Sequence, residues 1–276
     1  MFKLSLKKKL FRICAMVFCF VAIGVATVGF LISKQNQDDV RAITGDGQNV
    51  TVLRTGHPDV GPGFHEFFID SRDKHGFCAQ TSKDIPQDNA SYPAHKLGTS
   101  SDHKYEKIQL IIFINEYGDE SSLAAAARTE LFGNHDWTYY YRYTHYTISA
   151  IYDNDYTLGD RTIIDNAITK LDNYINNNAD VWIAAQNYQL YRIQPGSTMQ
   201  DLVWIEDKST YGSIKVKKCD ASTNTCAAQS PLSLAGISFE VYNASGSKIY
   251  NTKTNQIYNN GAVVASGTTK IGRTHV

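Results

Sequence analysis

The N-terminal segment constrains the fold most, because it contributes nothing to a globular core. A basic cluster lies at its start, and an uncharged apolar run covers residues 13–32. This run is long for the apolar part of a signal peptide and just long enough to cross a bilayer as a helix. Since the basic flank stays in the cytoplasm, the rest of the chain is predicted to be exported. Residues 1–33 are therefore either a signal peptide or a membrane anchor.

Export makes the cysteines informative, because disulfides persist outside the cytoplasm. Of the five cysteines, Cys14 and Cys19 fall in the apolar run, and Cys219 and Cys226 flank a turn-like stretch that a disulfide would close. Cys78 is left without an obvious partner. An odd cysteine in an oxidising compartment is either a buried bystander or a reactive group. Two cysteines with no nearby histidine do not complete a zinc site, so no metal is expected.

Charge and composition limit the partners. The chain of 276 residues has zero net charge and only 20% charged residues, so a nucleic-acid partner is not expected. Its 17 tyrosines suit an exposed binding surface or a core in which the hydroxyls are hydrogen-bonded. The length is sufficient for one large domain or two modest ones.

The chain changes character twice. Residues 34–47 are polar and aperiodic, which predicts a linker. Residues 48–209 mix helical and strand-like patterns. From Tyr211 onward, residues 212–218 and 237–242 alternate apolar and polar side chains, and turn residues 243–246 follow. Short strands at such spacing indicate a small β-sandwich over residues 210–276.

Three elements are predicted within residues 48–209. Residues 107–114 form an apolar run that predicts a strand covered on both faces. Two serines, an alanine run and Gly133 as a stop predict a helix over residues 121–132. Apolar residues at spacings of three and four predict an amphipathic helix from Asp160 to about Ile175, with Asp160 as its cap.

Three short stretches carry the chemistry. They are Phe-Cys-Ala at residues 77–79 with Pro86 a few residues on, residues 144–152, and Met-Gln-Asp-Leu-Val at residues 199–203. In this order, and followed by a β-sandwich, they resemble the thioester domain of Gram-positive surface adhesins. In that family the first motif supplies a thiol and the last supplies a side-chain amide. Cys78 and Gln200 occupy those two positions.

The resemblance implies an α+β thioester domain, a β-sandwich or barrel with an inserted helical part. It also implies that Cys78 and Gln200 condense into an internal thioester with loss of ammonia. An amine, such as a lysine on a host protein, would then displace Cys78 and remain bonded to Gln200. This is acyl transfer without turnover and without a cofactor, so the protein is not expected to be an enzyme.

The middle stretch departs from the family pattern Thr-Gln-x-Ala-aliphatic-Trp. Thr144 is kept, whereas His145, Thr147 and Ser149 replace the Gln, Ala and Trp. His145 is either a proton shuttle that supports the site or a hydrogen-bonded core histidine. Three other glutamines rival Gln200 as acyl donors but lack its local pattern: Gln186, Gln189 and Gln194.

Residues 210–276 resemble a Cna B-type domain, an all-β sandwich of the Ig-like or prealbumin-like kind found in pilins. The resemblance rests on residues 212–220 and 234–242, and it places Lys218 as the reactive lysine of an internal isopeptide bond. The chain stops at Val276, before the strands that carry the family's catalytic Glu and its Asn or Asp. We therefore expect an incomplete sandwich, no isopeptide bond, and a truncated product or fragment.

The function implied is that of an exported adhesin at the cell surface, attached to the membrane or cell wall, which bonds to an amine on a host or neighbouring cell. Two alternatives remain open. One is a non-covalent binding module of the same fold, with the Tyr-rich residues 137–143 as its contact surface. The other is a secreted cysteine hydrolase that uses a Cys78/His145 pair.

Overall fold

Six strands with inward-facing apolar residues close into a barrel. The computed structural model describes residues 44–56, 65–208 and 238–268. Residues 41–210 and 250–256 cluster as one unit, and the described residues 238–249 and 257–268 belong to a second. The barrel strands run antiparallel in the order β1-β2-β3-β6-β5-β4, and β4 pairs with β1 to close the ring. Their bounds are β1 (Asn49–Gly56), β2 (His65–Ile69), β3 (Ser71–Cys78), β4 (Ala90–Lys96), β5 (Tyr188–Ile193) and β6 (Leu202–Asp207).

The barrel interior follows from the two-residue period of its strands. Residues two apart point to the same face, and the residues of each strand that face the barrel interior lie at that spacing. They form one packed cluster made up of Val50, Val52, Phe67, Ile69, Cys78, Ala94, Tyr191, Ile193, Leu202 and Trp204. The side chain of Cys78 is therefore part of the barrel interior.

Five helices are inserted between β4 and β5 in the described first unit. They are α1 (Lys104–Glu116), α2 (Ser122–Phe132), α3 (Trp137–Asp153), α4 (Arg161–Asn176) and α5 (Asp180–Ala185). The predicted helices at residues 121–132 and 160–175 are confirmed as α2 and α4. Ser121 caps α2 by accepting from the Ala124 N–H, and Asp160 caps α4 by accepting from the Thr162 N–H.

The predicted strand at residues 107–114 is wrong, because this run lies in helix α1. α1 contacts the other four helices as well as β5 and β6, and its residues 110–115 are all buried, so it is covered on nearly every side. A helix buried all round shows no 3.6-residue period, and a short apolar run of this kind also fits a buried strand. The eight-residue run falls within the usual length of a strand, and the helix is longer only because polar residues extend it at both ends, to 13 residues.

The end of the predicted linker belongs to the barrel. Thr44 is buried, and its backbone N–H and hydroxyl both donate to the Glu206 carboxylate, at 2.7 and 2.6 Å. The Gly47 N–H donates to the Ala94 carbonyl at 2.7 Å. The linker therefore ends before Thr44, and residues 34–43 of the predicted linker lie outside the described ranges.

The described residues 238–268 contain four short strands: β7 (Ser238–Tyr242), β8 (Ile249–Asn251), β9 (Gln256–Tyr258) and β10 (Val263–Thr268). β7 pairs with β10 and β8 pairs with β9, giving two two-stranded sheets. The predicted strand at residues 237–242 corresponds to β7. The strand predicted at residues 212–218 lies outside the described residues, and the described part of this region does not show the predicted sandwich.

Within residues 44–56, 65–208 and 238–268, no helix is long and apolar enough to cross a membrane. The predicted signal peptide or anchor, residues 1–33, lies outside these ranges. So do Cys219, Cys226 and Lys218, together with the disulfide and isopeptide predictions that involve them.

Candidate functional site

The barrel brings Cys78 and Gln200 together through the pairing of β3 with β6. Cys78 lies opposite Leu202, and the Ala79 N–H donates to the Asp201 carbonyl at 2.9 Å. Gln200 therefore lies two residues before the cross-strand partner of Cys78, in a diagonal position. Diagonal neighbours in an antiparallel pair have Cα atoms about 7–8 Å apart, within reach of long side chains.

Both residues are shielded from water. Cys78 is 7% exposed and Gln200 is 2% exposed. Burial raises the pKa of the Cys78 thiol well above its ordinary value, because a thiolate is poorly solvated there. Gln200 Oε1 is buried without a hydrogen-bond partner among the described residues. A buried amide oxygen of this kind costs free energy and calls for an explanation.

The backbone of Gln200 is fixed from both sides. Its N–H donates to the Asp84 carbonyl at 2.8 Å, and the Asp84 N–H donates in turn to the Thr198 carbonyl at 3.2 Å. The next N–H, that of Asp201, donates to Gln80 Oε1 at 3.2 Å. The segment that follows Cys78 and the segment that precedes β6 are thus hydrogen-bonded to each other at the site.

The Asp201 side chain holds a second set of contacts. Its Oδ2 accepts from the Tyr152 hydroxyl at 2.6 Å and from Gln194 Nε2 at 3.3 Å. Arg192 Nη1 donates to the same tyrosine hydroxyl at 2.8 Å. These bonds tie the start of β6 to the C-terminal half of α3 and to the end of β5, so Gln200 sits on a fixed support.

Helix α3 binds the cysteine segment through the residues that depart from the family motif. His145 Nδ1 accepts from the Cys78 N–H at 2.9 Å, and Ser149 Oγ accepts from the Thr81 N–H at 2.9 Å. The two helix residues are four apart and so share one face. Pairing of β3 with β2 extends as far as Gly76, which lies opposite Phe67. At Cys78, two residues further along β3, the backbone N–H donates to helix α3 instead.

Asp155 braces this helix contact. Its Oδ2 accepts from the Ser82 N–H at 2.9 Å and from the Ser149 and Thr81 hydroxyls, both at 3.2 Å. Burial favours the neutral acid, but hydrogen bonds from Thr157 and Ser82 outweigh it and hold the pKa of Asp155 well below its ordinary value. Asp155 therefore stays charged and keeps the residues after Cys78 attached to α3.

His145 is a neutral, hydrogen-bonded core histidine. It is 1% exposed, and burial first, with the charge of His75 second, lowers its pKa to about 3. Because Nδ1 accepts a backbone N–H, the proton of the neutral ring lies on Nε2. Neither ring nitrogen then offers a lone pair to the Cys78 thiol. This geometry does not fit the proton shuttle or the thiolate–imidazolium pair of a cysteine hydrolase.

The rival glutamines lie elsewhere. Gln186 and Gln194 are exposed, and Gln194 donates to Asp201. Gln189 lies on β5, where its Nε2 donates to the Leu97 carbonyl at 2.9 Å. Of the four candidates, Gln200 is the buried one, and the β3–β6 pairing places it beside Cys78.

The Tyr-rich residues 137–143 form the first two turns of α3. Tyr140 and Tyr141 are buried, and Tyr141 stacks on Trp137 with ring centroids 4.8 Å apart. Tyr139 and Tyr143 are half-buried and stack on each other at 4.4 Å. As a contact surface this stretch is therefore smaller than the sequence suggested, since part of it packs inward.

Several supporting residues were not predicted to have a role. They are Gln80, Thr81, Asp84, Tyr152, Asp155 and Asp201. The four-residue spacing of His145 and Ser149 would have indicated a common helix face, had the helical nature of residues 144–152 been recognised. The partners of these residues come from segments distant in sequence, and no local pattern reveals them. Among the described residues, no cluster of three or more His, Cys, Asp or Glu side chains is arranged to hold a metal ion.

Comparison with known proteins gives two weak structural matches. No family model and no curated protein matches the sequence. The N-terminal thioester domain of a surface protein from Clostridium perfringens is 13% identical, with a TM-score of 0.36, over 59% of this chain and 99% of that one. A cysteine-to-alanine mutant of such a domain is 14% identical, with a TM-score of 0.38, over 57% of this chain and 99% of that one. Likeness at this level does not establish family membership.

Proposed function

We propose that the chain is an exported surface adhesin whose Cys78 and Gln200 form an internal thioester that bonds covalently to an amine on a host or neighbouring cell. One observation carries the proposal. The thiol that the sequence motifs select ends β3, the amide lies two residues before the paired strand β6, and both residues are buried. Attachment to the membrane or cell wall belongs to the same proposal.

The chemistry consists of two acyl transfers. In the first, Cys78 Sγ attacks Gln200 Cδ, an S–C bond replaces the C–N bond, and the thiol proton leaves with the amide nitrogen as ammonia. In the second, an incoming primary amine attacks the same carbon, a new C–N bond forms, and the thiol of Cys78 is regenerated. The protein is consumed in one attachment and does not turn over.

The buried surroundings favour a thioester over a separate Cys78 thiol and Gln200 amide. The interior position disfavours a thiolate, whereas a thioester carries no charge and suits an apolar barrel interior. Exclusion of water protects it from hydrolysis. The unpartnered Gln200 Oε1 also fits, since a thioester oxygen is a poorer hydrogen-bond acceptor than an amide oxygen and loses less by burial.

The contacts around the site supply the fixed geometry that acyl transfer requires. A thiol attacks an amide carbon only when the two groups are held in near-attack orientation. His145 and Ser149 hold the cysteine segment, while Asp84 and Gln80 hold the glutamine segment. On this proposal, His145 takes over the support of the site from the family's Gln by accepting the Cys78 N–H.

Intact-mass measurement of the full chain tests the proposal. We expect a mass below that of the sequence by about 17 Da, the ammonia lost on forming the acyl bond. Cys78→Ala and Gln200→Ala should abolish the deficit, and Gln186→Ala, at an exposed rival glutamine, should retain it. Methylamine should raise the mass by about 31 Da, to about 14 Da above that of the sequence, and leave an adduct on Gln200.

A wild-type protein of full mass with an alkylatable Cys78 would overturn the covalent proposal. Labelling of Cys78 by a peptide electrophile in that same protein would instead support the cysteine hydrolase.

A further inference from the structure

His75 lies on β3, the strand that carries Cys78, and its ring lies between two carboxylates. Its Nδ1 is 2.8 Å from Glu116 Oε2, and its Nε2 is 3.1 Å from Glu66 Oε1. Glu66 lies on β2, and Glu116 is the last residue of α1. The ring is mostly buried and contacts the rings of Phe68, Trp137 and Tyr141, with centroids 5.0–5.9 Å away. One side chain therefore joins the barrel wall to two helices.

This arrangement favours a protonated ring. Two ring nitrogens that both donate to carboxylates must both carry a proton, which is true only of the imidazolium. Burial by itself would lower the pKa of His75, but the hydrogen bonds and charges of Glu116, and then of Glu66, outweigh burial and raise the pKa above 6.5. A neutral ring would leave one carboxylate without its donor and two like charges facing each other.

We propose that Glu66, His75 and Glu116 form a pH-released clamp, which ties the C-terminal end of α1 to the barrel while His75 is charged and loosens when the proton passes to solvent. The clamp goes beyond the thioester proposal and does not depend on it. It acts on β3, three residues before Cys78, so its release would loosen the strand that carries the thiol.

The groups around His75 define its pH window. Glu66 faces it from β2, Glu116 from α1, and Tyr141 and His145 from α3. Burial raises the pKa of Tyr141 well above 10 and lowers that of His145 to about 3, so neither ring changes charge in the neutral range. Since the folded pKa of His75 exceeds the unfolded one, its stabilisation is complete below about pH 6.5 and is lost as pH rises through the folded pKa.

The test is urea unfolding of the full chain at several pH values between about 6.5 and 8, where unfolded carboxylates and tyrosines do not titrate appreciably and the Cys78 thiol is common to every variant. We expect the wild-type midpoint to fall as pH rises. His75→Gln should start lower, show a flatter profile and approach the wild type at the alkaline end. His95→Gln, which replaces a half-buried histidine on β4, is the matched control and should follow the wild-type slope.

Glu116→Gln keeps the test decisive if His75→Gln fails to fold. It should lower the pKa of the His75 ring, followed by NMR of its carbon-bound proton, and reduce the slope of the stability profile. Parallel profiles for the wild type and His75→Gln would overturn the clamp. So would a His75 ring that titrates at or below about pH 6.5, or a pKa unchanged in Glu116→Gln.

Discussion

His75 on β3 and His145 on α3 both lie where this strand packs against this helix, yet the two rings have opposite charge states. His75, near the middle of the β3 contact with the helices, donates to two carboxylates and is held charged. His145, at the Cys78 end, accepts a backbone N–H and is held neutral. Burial penalises the charged form of both rings, so the partner decides the outcome. Two carboxylates keep the buried His75 ring protonated, whereas the Cys78 N–H keeps the buried His145 ring neutral.

The two histidines make the stability of the fold depend on pH in opposite ways. His75 loses its stabilising contribution as pH rises above about 6.5, because the folded state then holds the extra proton. His145 behaves in reverse, since below about pH 6.5 the unfolded state binds a proton that the folded state refuses. Between them, the two histidines predict greatest stability near pH 6.5.

The largest effect is expected from His145→Ala. This change removes the acceptor of the Cys78 N–H and leaves a cavity, which should cost about 2–4 kcal/mol in the free energy of unfolding. His145→Gln restores a side-chain acceptor and should lose less than half as much. Urea unfolding at pH 7 measures both. Equal losses in the two variants would show that the hydrogen bond to Cys78 N–H contributes nothing and would break the comparison.

The next effect is the acid limb of the stability profile. As pH falls from about 6.5 to 5, the wild type should lose stability because its unfolded His145 becomes protonated. His145→Gln should lose less over the same interval. Asp155 and Glu206, whose pKa values are lowered in the fold, add their own loss only at still lower pH. Parallel acid limbs in the two proteins would contradict a neutral, buried His145.

A smaller effect is expected one turn further along α3. Ser149→Ala removes the acceptor of the Thr81 N–H and should destabilise the fold by about 1–2 kcal/mol. If the thioester forms, the same change should lower the fraction of molecules with the ammonia deficit, because the cysteine segment is held less firmly. Intact mass and urea unfolding read the two effects separately. If neither the stability nor the mass deficit changes, His145 and not Ser149 supports the cysteine segment.

Thr147→Val should have the smallest effect and serves as the contrast within the helix. Thr147 is buried, and its hydroxyl has no hydrogen-bond partner among the described residues. Replacing an unsatisfied hydroxyl by a methyl group should change stability by less than about 0.5 kcal/mol, or increase it. A loss as large as that of Ser149→Ala would reveal a bond to Thr147 that the described structure lacks.

Local signals allowed part of the fold to be predicted. Helices α2 and α4 have side-chain caps and, in α4, a clear apolar period, and both were placed nearly to the residue. α1 gave no such signal because it is buried on nearly every side. Barrel closure depends on β1 pairing with β4, and a pairing of that kind leaves no mark in either strand alone.

The candidate site divides in the same way. Cys78 and Gln200 each stand in a short recognisable motif, so their identities could be proposed from sequence. Their adjacency depends on β3 pairing with β6 across the whole helical insertion, which only the fold supplies. The Glu66–His75–Glu116 clamp draws on three separate elements and has no sequence motif. It was not predicted for that reason.

The insertion of every described helix between β4 and β5 has a mechanical consequence. All five helices of the described first unit lie within residues 104–185 and therefore precede Gln200 in the chain. A ligand bonded to Gln200 and pulled against a point beyond Asp207 would transmit tension through β6 alone. The helices would lie outside the load path, and their local opening would not weaken the attachment.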